Sequence, residues 1–190
     1  MDGVFLNYNE NAEVKRELIP GNVRCIHGHF PSTHYDRFFP DADLVAWLRN
    51  PVERVVSNYH QFLRHPDPAN PCSRELSTKR LSLEQFAELT LMRNEASRYI
   101  AGKPPEAFKF IGILERFDES LKVFGAIFNV PVPDVSPRMN ANVERAEGRY
   151  PISDRTYQRI LSLNLQDRLI YDQANARLDA WLARSRSRIA

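Results

Sequence analysis

Arg49 and Ser57 lie eight residues apart in "LRNPVERVVSNYHQF", and the segment around them has the character of an anion site. An apolar run ends in Arg49, and Asn50 and Pro51 follow before a helical pattern begins. Asn50 is a good N-cap, Pro51 fits the first helical position, and Glu53 stands where a capping box closes. A helix N-terminus carries unpaired N–H groups and the positive end of the dipole. Arg49 at that strand end can add a charge-assisted, bidentate bond to a phosphate. Ser57, about two turns into the helix, can reach a second phosphate oxygen. The same pattern also describes Arg49 paired with an acidic neighbour and Ser57 as a solvated helix serine.

His27 and His29 flank Gly28 in "CIHGHF". An imidazole with a pKa near neutrality is suited to taking a proton from a hydroxyl. Two other readings stay open. Each histidine can cap a strand end by a hydrogen bond. Alternatively the pair can ligate a metal, with His34 and Asp36 nearby, although no third ligand has a recognisable spacing.

These groups need a scaffold that brings strand ends together. Residues 4–8, 22–30, 42–50 and 108–114 read as short strands, rich in β-branched and aromatic residues and bounded by turn residues. The last three lack polar alternation, which suits a sheet covered on both faces. Helical patterns fill the spaces between. Val52, Val55, Val56, Tyr59 and Leu63 form one stripe. A second helix starts at Ser82, with Gln85 at the third helical position, and runs to about Gly102. A third places Phe117, Leu121, Phe124 and Phe128 on one face. A long helical pattern follows Ser153 and aligns Ile170, Ala174, Leu178 and Trp181. Segments 64–80 and 129–151 read as long loops. Interleaved strands and helices predict an α/β fold of three layers with a mostly parallel sheet, in one domain over 1–190. In such sheets ligands bind beyond the carboxyl ends of the strands, where Arg49 lies.

Composition limits the function classes. Net charge is +2, so charge gives no case for nucleic acid or an anionic membrane. No apolar run reaches the ~18 residues of a membrane span. Cys25 and Cys72 are the only cysteines and make neither a disulfide framework nor a CxxC metal pair. The expected setting is soluble, reducing and cytoplasmic.

"LRNPVERVVSNYHQFLR" resembles the 3′-phosphate-binding motif of the carbohydrate sulfotransferases, R-D-P-x-E-R-x-x-S-x-Y, most closely the heparan sulfate 2-O-sulfotransferase type. Asn50 stands in place of the usual Asp. "CIHGHF" is similar to the family's H-G-H segment, and residues 110–128 and 138–172 resemble its later strand, covering loop and final helices. The resemblance implies a P-loop nucleoside triphosphate hydrolase-like fold. It also implies transfer of a sulfuryl group from 3′-phosphoadenosine 5′-phosphosulfate (PAPS) to a carbohydrate or other hydroxyl acceptor, with no metal. Arg49 and Ser57 would hold the 3′-phosphate, His29 would be the general base, and His27 would support it. Arg138, Asn140 and Asn142 would close over the nucleotide.

One family feature has no counterpart in the sequence. The 5′-phosphosulfate loop, usually Pro-Lys-x-x-x-Ser/Thr-Ser/Thr, is not found; Lys15 has no preceding Pro and no Ser/Thr cluster after it. The domain is therefore expected to be N-terminally incomplete, lacking a strand–loop–helix unit. A non-catalytic nucleotide-binding remnant and a metal-dependent hydrolase using the His-x-His pair are the alternative functions.

Overall fold

The computed structural model describes residues 7–8, 17, 19–132 and 150–187. The chain is mixed α/β and mainly helical. Its strands are β1 (Asn7–Tyr8), β2 (His27–Gly28), β3 (Leu44–Leu48) and β4 (Phe108–Ile113). All pairing is parallel, as the interleaved pattern predicts. The four strands form two pairs, β1 with β2 and β3 with β4, rather than one continuous sheet among the described residues. The β3–β4 register sets Trp47 against Gly112 and Leu48 against Ile113, so both strands end side by side.

Helix α1 (Pro51–Arg64) starts at the Asn50 cap and Pro51 as expected, with Val52, Val55 and Val56 of its stripe fully buried, whereas Leu63 near its far end is exposed and Glu53 closes no capping box. Around it pack α2 (Pro71–Lys79), α3 (Leu83–Ala87) and α6 (Asp154–Ser162). Leu76, Phe86, Met92, Tyr150 and Ile160 complete that core. A second core lies where β3 and β4 meet α5 (Phe117–Phe128) and α7 (Leu165–Ser187). Buried Ser120 of α5 closes the end of β4: its Oγ accepts the Ile113 N–H at 2.9 Å and donates to the Ile113 carbonyl.

Three local readings need correction. Segment 64–80 is not all loop. Pro71 opens α2 instead of preventing a helix, because Asn70 accepts the Cys72 and Ser73 N–H groups and the proline sits at the first helical position. The helix expected over 82–102 is divided. The capping box of Ser82 and Gln85 starts α3 as predicted, but a 3₁₀ turn (Thr90–Met92) and left-handed Asn94 separate it from α4 (Glu95–Tyr99). The C-terminal helical pattern is likewise two helices. Buried Asn164 turns its side-chain amide back to the Ile160 carbonyl at 2.9 Å, which ends α6.

Candidate functional site

Arg49 leaves β3 at the carboxyl edge of the β3–β4 pair, and Glu115 emerges from β4 beside it. The Arg49 Nε lies 3.9 Å from Glu115 Oε1. The same oxygen accepts the Asn50 N–H at 3.0 Å, and Oε2 accepts the Tyr171 hydroxyl at 3.2 Å. An acidic neighbour for Arg49 is thus real, but it engages only the Nε edge. The terminal guanidinium nitrogens of Arg49 have no partner among the described residues.

The N-terminus of α1 differs from expectation. The Asn50 side chain accepts Val52 N–H at 3.0 Å and Glu53 N–H at 3.3 Å. Arg54 N–H bonds the Asn50 carbonyl at 2.9 Å, and Pro51 has no N–H. The cap that makes the helix start well therefore consumes the amides that were expected to meet an anion. What remains for an anion is the dipole, the fork of Arg49 and the hydroxyl of Ser57.

Ser57 is half-buried one helical face further along, and its Oγ accepts from the Tyr150 hydroxyl at 3.4 Å. Tyr150 is buried and stacks on His60, with centroids 5.1 Å apart and rings 7° from parallel. Segment 150–152 thereby docks on α1 beside Ser57. Arg138, Asn140 and Asn142 lie outside the described residues.

Arg54, one turn into α1, does different work from Arg49. Its Nη2 donates to the Met92 carbonyl at 2.9 Å and to Asn164 Oδ1 at 3.3 Å, and lies 3.8 Å from Asp167 Oδ2. Its Nη1 pairs with Glu95. Burial pulls its pKa down to about 10, opposed by the Asp167 carboxylate, so it stays charged at neutral pH. The positive charges of Arg98 and Arg49 are close enough to add to that lowering.

His27 and His29 are both exposed on and beside β2. The His29 ring stands 6.2 Å from the ring of Tyr99, at the end of α4. His34 and Asp36, the neighbours considered for a metal, are used otherwise. His34 packs against Phe30 and Tyr35, and Asp36 pairs with Lys103 at 2.8 Å. Among the described residues no group of three or more His, Cys, Asp or Glu could hold a metal ion. Nor is any described helix long and apolar enough to cross a membrane.

The fold thus places Arg49 and Ser57 on one strand–helix unit and links the histidine segment to it through α4. Sequence reasoning missed Glu115, Tyr150, Tyr99 and Asp167. Glu115 had a usable signal, since it follows a strand whose end must neighbour Arg49 if the two strands pair in parallel. The others became visible only through packing. No protein family, curated protein or solved structure matches the chain.

Proposed function

We propose that this chain is a PAPS-dependent sulfotransferase acting on a carbohydrate or other hydroxyl acceptor, with a three-layer α/β fold of the P-loop nucleoside triphosphate hydrolase-like type. One observation carries the reading: Arg49 ends a parallel strand, is steadied on its Nε edge, and keeps its terminal fork unpartnered among the described residues, on the unit that bears Ser57. A planar fork of this kind suits bidentate capture of a 3′-phosphate. In the reaction the acceptor oxygen attacks sulfur, and His29 takes the hydroxyl proton at an imidazole nitrogen. The bond from sulfur to the 5′-phosphate oxygen breaks, and 3′-phosphoadenosine 5′-phosphate leaves with that electron pair. His27 supports the base. Arg49 and Ser57 orient the donor from its far end, so that sulfur lies between nucleophile and leaving oxygen.

The second reading is nucleotide binding without transfer. It needs only Arg49 and Ser57, the two groups that share one strand–helix unit, and no general base. Calorimetry tests what the two readings share. 3′-Phosphoadenosine 5′-phosphate should bind more tightly than AMP, and Arg49→Ala should weaken it roughly tenfold or more, since a charge-assisted bond is worth ~1.5–3 kcal/mol. Equal affinity for the two nucleotides overturns the site. Turnover of labelled PAPS with a panel of oligosaccharides then separates transferase from binding protein.

A further inference from the structure

Helix α4 has only five residues, too few to be stable alone, and the side chain of its N-cap residue, Asn94, makes no capping bond to the helix itself. Asp167 of α7 supplies the cap instead. Its Oδ2 accepts Ala96 N–H at 3.0 Å, and its Oδ1 accepts Ser97 N–H at 2.8 Å and the Ser97 hydroxyl at 2.6 Å. The capping is reciprocal, because Asn94 Oδ1 accepts Gln166 and Asp167 N–H at 3.1 and 3.3 Å. Asp167 is 3% exposed, and the Arg54 guanidinium of α1 lies on its other side. Glu95, the first residue of α4, pairs with the same guanidinium. One end of α4 is therefore fixed to the helix that carries Ser57.

The other end of α4 holds the histidine segment. Tyr99 carbonyl accepts the Ser32 N–H at 2.6 Å, and the Ser32 hydroxyl donates to the Ala101 carbonyl at 3.1 Å. Gly102 has φ +85 and lies so near Thr33 that a Cβ there would be 2.7 Å from Cγ2. Asp36 and Lys103 pair across the same seam. The ring of His29 faces Tyr99 within this docked segment.

We propose that Asp167 is a positioning residue: by capping α4 it fixes where His29 stands relative to Arg49 and Ser57. The helix acts as a spacer about 7.5 Å long between the two groups. The role of His29 as base rests on the proposed function, but the positional claim does not. A displacement of 1 Å in such a constellation costs roughly 100-fold in rate, so a cap that holds one end of the spacer is kinetically consequential without touching substrate.

The test uses the full chain with ¹⁵N-labelled histidine, which has five imidazoles to follow. Asp167→Ala is compared with the milder Ser97→Ala, which removes only the 2.6 Å hydroxyl bond. In both, the imidazole signals of His29 should move while those of exposed His65, beyond the end of α1, stay in place. Affinity for 3′-phosphoadenosine 5′-phosphate should stay within about twofold, while turnover of PAPS falls roughly tenfold or more. Asp167→Asn, which keeps one carbonyl acceptor, should recover part of the loss. Unmoved His29 signals in folded Ser97→Ala overturn the proposal, as do His29 and His65 moving together. Failure of the parent protein to bind the nucleotide would overturn the proposed function, and the His29 signals would still decide the role of Asp167.

Discussion

Two arginines five residues apart, Arg49 and Arg54, should fail in opposite ways when replaced. Arg54→Met keeps the apolar stem and removes the charge. The Arg54 side chain is 14% exposed and that of Asp167 2%. Breaking a buried ion pair from one side costs about 3–5 kcal/mol when the remaining charge is left uncompensated. Here Asp167 retains three donors from Ala96 and Ser97, and Glu95 is open enough to turn to water. The loss should therefore fall below that range, at about 2–3 kcal/mol. Asp167→Ala should cost more, about 4 kcal/mol, because it uncaps α4 and leaves Arg54 without its most buried partner. Arg49→Ala should cost no more than ~1 kcal/mol, since its partner is 3.9 Å away and both side chains are about a fifth exposed. Urea denaturation reads all three. With a slope of ~1–3 kcal/mol/M, the Arg54→Met midpoint should drop by about 0.7 M or more at unchanged slope. Arg49→Ala should unfold close to the parent, while its affinity for 3′-phosphoadenosine 5′-phosphate should fall roughly tenfold or more. The reasoning is refuted if Arg49→Ala destabilises as much as Arg54→Met, or if Asp167→Ala is the milder of the two buried replacements.

Gly112→Ala should loosen the β3–β4 pair, because the new Cβ would stand 2.4 Å from Trp47 Cε3, and Phe110, Phe117 and Phe124 surround that ring. Overpacking of this kind costs ~1–3 kcal/mol, so the melting temperature should fall by several degrees; an unchanged melt would show that the ring moves freely. Tyr171 should shape stability in alkali. Burial first, and then the Glu115 carboxylate, raise its folded-state pKa above the ordinary phenol value. Its contribution is then intact below the unfolded value of ~10 and is lost as pH rises through the folded one. The parent should lose stability above about pH 10 more steeply than Tyr171→Phe, and parallel stability curves would contradict the assignment.

What the sequence determined by itself was local. Asn50 and Pro51 announce a helix start because capping is a contest among neighbouring backbone groups, and α1 begins there, but the capping box expected of Glu53 does not form, because Glu115 takes the Asn50 N–H. The Ser82–Gln85 box and the Ser153 cap were legible for the same reason. Parallel pairing could be expected from strands alternating with helices, and it holds for both pairs. The candidate site was legible as spacing alone: Arg49 to Ser57 on one strand–helix unit, and His27 to His29 on and beside a short strand. Tertiary structure decided whether those groups were already occupied. The cap of α1 uses the amides that sequence reasoning left free, and Glu115 takes the Nε edge of Arg49 from the turn after β4, 66 positions later, as the contact between Asn50 and Glu115 spans 65. Asn94 and Asp167 look like ordinary helix-surface polar residues in the sequence. They become reciprocal caps because α4 and α7 meet end to end, a contact 73 residues apart that no local pattern encodes. Pairing follows the same logic: Arg54 and Arg49 are the same residue type five positions apart, and only the packing of α4 and α7 makes one of them a structural ion, while Glu115 approaches the other on its Nε edge alone.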